Sequence, residues 1–284
     1  MPSGRPLFLA RHNRHPEPTR NSASLPSVRY AAADEEIGFA DPPKRASWPA
    51  AVGRATITAR EAMRFRWAVL DDREPGASSH ATRARRLREG CSPLCDRLRL
   101  SLSVRGSTPV GPAVIVANHI SYLDPLVIGQ TLPVSAVAKS EIMGWPAIGE
   151  TLEELGIIFV ARGNARSGAI ALRKAMRVLR NGVPVLVFPE GTTTLGNTVL
   201  PFARGAFGIA RLLRVPVVPA TLRYESPEVP WVGTASFLPH FIKMHREHEV
   251  KAELVFGPPL QPMGFVDAAS LADATRRCIE SLLV

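Results

Sequence analysis

The stretch Asn118-His119-Ile120-Ser121-Tyr122-Leu123-Asp124 sets a histidine and an aspartate close together in the chain. The apolar run Ala113-Val114-Ile115-Val116-Ala117 precedes it, and Pro125-Leu126-Val127-Ile128 follows. The first run reads as a buried strand, and Ser121 with Asp124 and Pro125 reads as a helix start. A histidine at the strand's end and an aspartate in the first helical turn face each other across that turn. The carboxylate holds one imidazole nitrogen and stabilises the cation that forms when the other nitrogen takes a proton. This is half of a catalytic triad without a nucleophile of its own. Its natural work is to activate a hydroxyl belonging to a substrate. A polar strand-end turn with a capping aspartate is the alternative reading.

Two more blocks bring groups suited to a polar substrate. In Gly156-Ile157-Ile158-Phe159-Val160-Ala161-Arg162-Gly163, an arginine follows an apolar strand and adjoins a glycine, well placed to meet an anion with its planar fork of donors. In Val185-Leu186-Val187-Phe188-Pro189-Glu190-Gly191-Thr192-Thr193-Thr194, a strand runs into a carboxylate, a glycine and three hydroxyls. Gly191 permits a turn that a side chain would obstruct. Glu190 offers acceptors to substrate hydroxyls, and the threonines offer donors to a phosphate or carbonyl. A solvated arginine and a plain polar turn are the competing readings. His240, His245 and His248 have no spacing that forces a metal, and none is expected.

The elements that must position these groups follow from the alternation of short apolar runs with helical patterns. Strands are expected at 102–105, 113–117, 134–138, 157–160, 183–188, 215–222 and 250–256. Helices are expected near 122–131, 145–155, 166–181, 203–213 and 267–283. This predicts an α/β domain over residues 101–284, with a largely parallel sheet of about seven strands flanked by helices. In such sheets the active site lies beyond the carboxyl ends of the strands, where His119, Arg162 and Glu190 all fall. In the helix at 166–181, Leu172, Ala175, Met176 and Leu179 form the buried stripe.

The front of the chain has a different character. Residues 1–50 carry scattered prolines and no periodicity, which predicts a disordered or loosely attached extension. Residues 51–100 form a basic helical segment, broken at Glu74-Pro75-Gly76, with a kink or division at Pro93. Of the net charge of +10, residues 1–110 hold 19 Lys and Arg against 11 Asp and Glu, while residues 111–284 hold 16 against 14. The basic excess is therefore N-terminal. It suits an anionic membrane surface, with the helical pair as a possible anchor; the alternative is a pair packed on the domain with solvated arginines. Nucleic acid is the weaker partner, since aromatics are scarce and no recognition motif is present. No window is apolar enough to span a bilayer, and three cysteines make no disulfide framework. A peripheral protein on the cytoplasmic face of a membrane is the expectation.

Together the blocks resemble the glycerolipid acyltransferases typified by 1-acylglycerol-3-phosphate (lysophosphatidate) acyltransferase. Asn118-His119 with Asp124 is similar to the family's first block, Gly156 to Arg162 to the second, Phe188-Pro189-Glu190-Gly191-Thr192 to the third, and Val215-Pro216-Val217-Val218-Pro219 to the fourth. Lys139 and Phe202-Ala203-Arg204-Gly205 resemble less strict positions. The likeness covers about residues 100–260, in the family's order and spacing. It departs at Ala161, where many members carry an acidic or polar residue.

The resemblance implies that His119, oriented by Asp124, deprotonates the free hydroxyl of a lysophospholipid, which attacks the thioester of acyl-CoA or acyl-ACP. These are co-substrates, so no resident cofactor is implied. Arg162, Glu190, Gly191, Thr192 and Lys139 are implied to hold the acceptor's polar head. A lyso-aminolipid or glycerol 3-phosphate is the alternative acceptor. A non-catalytic lipid-binding protein would not need His119, Asp124 and Glu190 intact. A hydrolase is disfavoured because no Gly-x-Ser-x-Gly elbow accompanies the histidine.

Overall fold

The computed structural model describes residues 29–30, 45–71 and 79–284. In chain order the elements are β1 (Arg29–Tyr30), α1 (Trp48–Asp71), α2 (His80–Arg97), β2 (Leu100–Arg105), β3 (Val114–Ala117), α3 (Asp124–Gly129), β4 (Ser135–Lys139), α4 (Ile148–Glu154) and β5 (Ile158–Val160). There follow α5 (Ala165–Arg180), β6 (Val185–Val187), α6 (Gly205–Leu213), β7 (Val217–Tyr224), α7 (Phe237–Met244), β8 (Val250–Phe256) and α8 (Ala268–Leu282). The sheet order is β1-β2-β8-β7-β3-β6-β4-β5. Every pair is parallel except β7 with β8.

The centre of the sheet is where the sequence is most uniformly apolar. All four residues of β3 are buried, as expected of a parallel strand covered on both faces. Alternation sends Val114 and Val116 to one face and Ile115 and Ala117 to the other. Val114 and Val116 join Val185, Val187 and Val217 in a core closed by α5, α6 and α8, with Ala171, Ala175, Val178, Leu179, Phe207 and Ile279. Ile115 and Ala117 join Leu186, Val218, Ala220 and Leu222 in a second core, closed by Val69 of α1, Leu87 and Cys91 of α2, and Val127 and Ile128 of α3. The result is three layers, helix on sheet on helix. The seven predicted strands are all present, and β1 adds a short parallel edge.

Three features differ from the expectation or fall outside it. First, α2 is not divided at Pro93 but runs through it. Proline removes the hydrogen bond to the carbonyl of Glu89, but both residues lie on the exposed side, where water can take up that carbonyl. The opposite side, with Ala84, Leu87, Cys91 and Cys95, is buried and holds the helix in place. Second, α7 occupies a stretch for which no helix was predicted. Third, the break at 74–76 and nearly all of residues 1–44 lie outside the described residues.

The N-terminal helices pack on the domain. α1 meets α2, α4 and α7, while α2 covers α3 and β4. His245 ties α1 to the end of α7: Nδ1 lies 2.8 Å from the Phe241 carbonyl and Nε2 2.8 Å from Thr58 Oγ1. Arg54 adds bonds to the His245 and Glu247 carbonyls. Among the described residues, no helix is long and apolar enough to cross a membrane.

Candidate active site at the carboxyl edge of the sheet

β3 ends between β6 and β7, and the chain beyond it is held from both sides. Asn118 extends the strand pairing with its side chain: Nδ2 donates to the Leu222 carbonyl at 3.0 Å, and Oδ1 accepts from Leu222 N–H at 2.8 Å. The His119 carbonyl accepts from Thr194 N–H at 2.8 Å, and the Ile120 carbonyl from Trp231 N–H at 2.9 Å. The turn that carries the histidine is thus clamped through its backbone.

Asp124 opens α3 and is 0% exposed. Its Oδ2 accepts from Ile120 N–H at 2.6 Å and Ser121 N–H at 3.0 Å, which closes the turn, and lies 2.8 Å from His119 Nδ1. Its Oδ1 accepts from the Tyr224 hydroxyl at 2.8 Å. A carboxylate only accepts, so Nδ1 is the protonated nitrogen of a neutral His119 and Nε2 is left as the basic one. The imidazole stacks on Phe188, with ring centroids 4.2 Å apart and planes 20° apart. Its side chain is 18% exposed, so the imidazole reaches solvent.

Glu190, at the end of neighbouring β6, has both oxygens engaged. Oε1 accepts from His119 N–H at 3.0 Å and Oε2 from Leu200 N–H at 2.9 Å. Burial pushes its carboxyl above the ordinary value, and these two backbone donors pull against that shift. The sequence offered Glu190 as an acceptor for substrate hydroxyls; in the structure it holds the histidine's own backbone. Gly191 turns with φ +71, and a Cβ there would stand 3.8 Å from Arg162 Nε, so the guanidinium lies against this turn. Arg162 is exposed, in a loop shaped by Ser167 Oγ accepting from Ala161 N–H at 2.8 Å and by Asn164 capping α5. Thr192 is exposed beside it. Lys139 ends β4, with Nζ 3.4 Å from Glu141 Oε1.

The predicted site residues therefore lie along one edge in sheet order: His119 after β3, Glu190 to Thr192 after β6, Lys139 at the end of β4, Arg162 after β5. Direct contact joins His119 to Asp124 and, through its backbone N–H, to Glu190, while Arg162 Nε faces the Gly191 turn. Lys139 and Thr192 share the edge without contacting the histidine. Tyr224 was missed, because the strand was read to end at Leu222 and its partner is a hundred residues distant. An aromatic cluster also adjoins the turn: Tyr122 packs edge-on to Trp231 and Phe237, and Trp145 packs on Phe237. His240 belongs to this cluster, with Nδ1 3.1 Å from Tyr122 Oη and Nε2 3.2 Å from the Pro230 carbonyl.

Comparison with known proteins follows the same geometry. The acyltransferase family model matches residues 101–223, from β2 to one residue short of the end of β7. The lyso-ornithine lipid O-acyltransferase of Pseudomonas aeruginosa is 30% identical over 222 residues, covering 76% of this chain and 85% of that one. The chain belongs to the acyltransferase family. The probable 1-acyl-sn-glycerol-3-phosphate acyltransferase of Mycoplasma pneumoniae is 28% identical over 182 residues, 59% of this chain and 64% of that one. The crystal structure of the 1-acyl-sn-glycerophosphate acyltransferase PlsC from Thermotoga maritima superposes with a TM-score of 0.60 at 22% identity, covering 81% of this acyltransferase and 96% of that chain. At that identity the likeness is one of fold.

Proposed function

We propose that this acyltransferase moves a fatty acyl group from a thioester, acyl-CoA or acyl-ACP, to the free hydroxyl of a lysolipid, with His119 as general base and Asp124 as its orienting group. The observation that carries this reading is the 2.8 Å contact from His119 Nδ1 to a fully buried carboxylate, which leaves Nε2 as the base. Nε2 takes the hydroxyl proton as the oxygen attacks the thioester carbonyl. The tetrahedral intermediate collapses to the ester, and the imidazolium returns the proton to the departing thiolate. General-base help of this kind is worth about 10²–10⁴ in rate. The protein's thiols are poor candidates for a covalent route. Burial in α2 pushes Cys91 up to about 12 and Cys95 well above the ordinary value, and Cys278 sits on α8, also shifted up.

The acceptor's head would lie toward β4 and β5, against Arg162. We favour a zwitterionic head of the ornithine type. Arg162 and Lys139 are cations at that end, and Glu141 sits among them: it pairs with Lys139 and acts electrostatically on Arg162. A mixed-charge edge suits a carboxylate and an ammonium together better than a doubly charged phosphate. Four of the relatives, from Pseudomonas aeruginosa to Rhizobium meliloti, carry the name lyso-ornithine lipid O-acyltransferase, which supports the same choice. The second reading is 1-acylglycerol-3-phosphate, supported by the Mycoplasma pneumoniae relative and by the anion-binding geometry of an arginine fork. Purified protein given acyl-CoA, acyl-ACP and a panel of lyso-lipids tests both readings by product mass. Acylation of 1-acylglycerol-3-phosphate in preference to lyso-ornithine lipid would reverse the order.

The same reading has the enzyme work at the cytoplasmic face of a membrane, without spanning it. α1 supports this with an outward stripe of Trp48 (52% exposed), Val52, Met63 and Trp67 (56% exposed). Arg60 and Arg64 are exposed on the flank of that stripe. An amphipathic surface edged by arginines suits an anionic lipid interface.

A further inference from the structure

Tyr224 is the last residue of β7, two positions beyond Leu222, and a strand's period of two puts both on one face. Asn118 clamps Leu222, and Ala252 of β8 pairs with Tyr224 from the other side. The phenol is thereby delivered to Asp124 Oδ1, which it meets at 2.8 Å. The work on that carboxylate is divided. Oδ2 serves His119 Nδ1 and two backbone N–H groups, and Tyr224 is the donor that the structure gives to Oδ1.

We infer that Tyr224 is a positioning residue of the acyl-transfer site, its hydroxyl fixing the Asp124 carboxylate in line with His119 and tempering the basicity that the carboxylate passes to the imidazole. The inference rests on the reading of His119 as the base. An O–H donated to a carboxylate is among the stronger hydrogen bonds and stabilises the charged acceptor. An Asp124 stripped of it draws harder on the Nδ1 proton and favours the imidazolium, so a higher pH is needed to keep the base neutral in the variant than in the native enzyme. Burial and the facing carboxylate keep the phenol protonated well above its ordinary range, so it acts as a donor and not as a charge. The other titratable groups around the pair are Cys95 of α2, Tyr122 and, beyond His119, Glu190. The Cys95 thiol and Tyr122 phenol are themselves pushed upward and stay neutral. Glu190 is common to native and variant enzymes and cancels in the comparison.

Tyr224→Phe removes one oxygen and keeps the ring. It should lower kcat about tenfold and leave KM for donor and acceptor within about twofold. The acid limb of the kcat/KM profile should move to higher pH by about half a unit. Replacement of Tyr224 by 3-fluorotyrosine keeps the bond, makes the phenol a stronger donor and should move the same limb to lower pH. That second variant decides the matter even if the first folds poorly. An acid limb that stays in place in both, or moves the same way in both, overturns the inference. His119→Ala separates the two claims. If it retains activity, the base assignment has failed; if it is inactive while the limb does not respond to position 224, only the role of Tyr224 has failed.

Discussion

Glu190 shows how a residue's chemistry is set by what its atoms already do. Its type and position offered a ligand for substrate hydroxyls, yet both oxygens accept backbone N–H groups, one from His119. A glutamine there keeps one acceptor and turns an amide N–H against the other backbone donor. Glu190→Gln should therefore cost about 1–3 kcal/mol of stability and lower kcat, read by denaturant unfolding and initial rates. Unchanged stability would mean that the two backbone contacts contribute nothing. Arg162 presents the opposite case, since the structure leaves it exposed against the Gly191 turn. Arg162→Ala should raise KM for the acceptor at least tenfold with kcat changed little, whereas an unchanged KM would remove it from the head-group site. His119 and Arg162 could be singled out because each follows an apolar run that announces a strand end, and Asp124 because it opens the helix after one. Tyr224 was not, because a tyrosine ending a strand looks like ordinary β-sheet filling until the fold supplies Asp124. The backbone partners of Glu190 were hidden for the same reason.

At the scale of elements, continuous β-branched runs such as Val114–Ala117 and Val185–Val187 identified the central strands, since only a strand covered on both faces is apolar throughout. α5 was equally readable from its apolar stripe, of which Ala175 and Leu179 are buried and Leu172 and Met176 pack against the same core. α7 was not, because Phe237-Leu238-Pro239-His240 mixes a proline with aromatics and shows no helical period. It is held instead by Phe237 packing on Tyr122 and Trp145. The junction of α7 with α1 makes its own prediction. Burial lowers His245 below the ordinary value of 6.5. A folded pKa below the unfolded one means that the stability is present above the unfolded value and lost as pH falls through the folded one. Thermal unfolding should thus fall in midpoint as pH drops from 7.5 to 5, and His245→Gln should flatten part of that slope. His240, shifted the same way, contributes to the remainder. A slope unaltered by the substitution would place the acid sensitivity elsewhere.

At the scale of the whole molecule, a parallel sheet lines up loops from four strands, in the order β3, β6, β4, β5, so that His119 at one end and Lys139 and Arg162 toward the other share an edge. Neighbouring strands are about 4.8 Å apart, which sets these groups along roughly the length of a lipid head. Strand order could not be read from the chain, but the rule that sites lie beyond the carboxyl ends could, and His119, Glu190 and Arg162 all follow strand ends on that side. The same architecture leaves the apolar stripe of α1 facing outward. Trp48→Asp with Trp67→Asp should leave the fold intact and weaken binding to anionic vesicles at least tenfold in a sedimentation assay; undiminished binding would move the membrane contact to another surface.

Acyl transfer by His119→Ala tests the central claim most directly. Release of free CoA from acyl-CoA and formation of acylated lyso-lipid would be measured together, with folding verified by thermal unfolding. General-base catalysis by His119 predicts a folded variant whose acyl transfer is lower by about 10²–10⁴. A folded variant that acylates the acceptor at close to the native rate would contradict it.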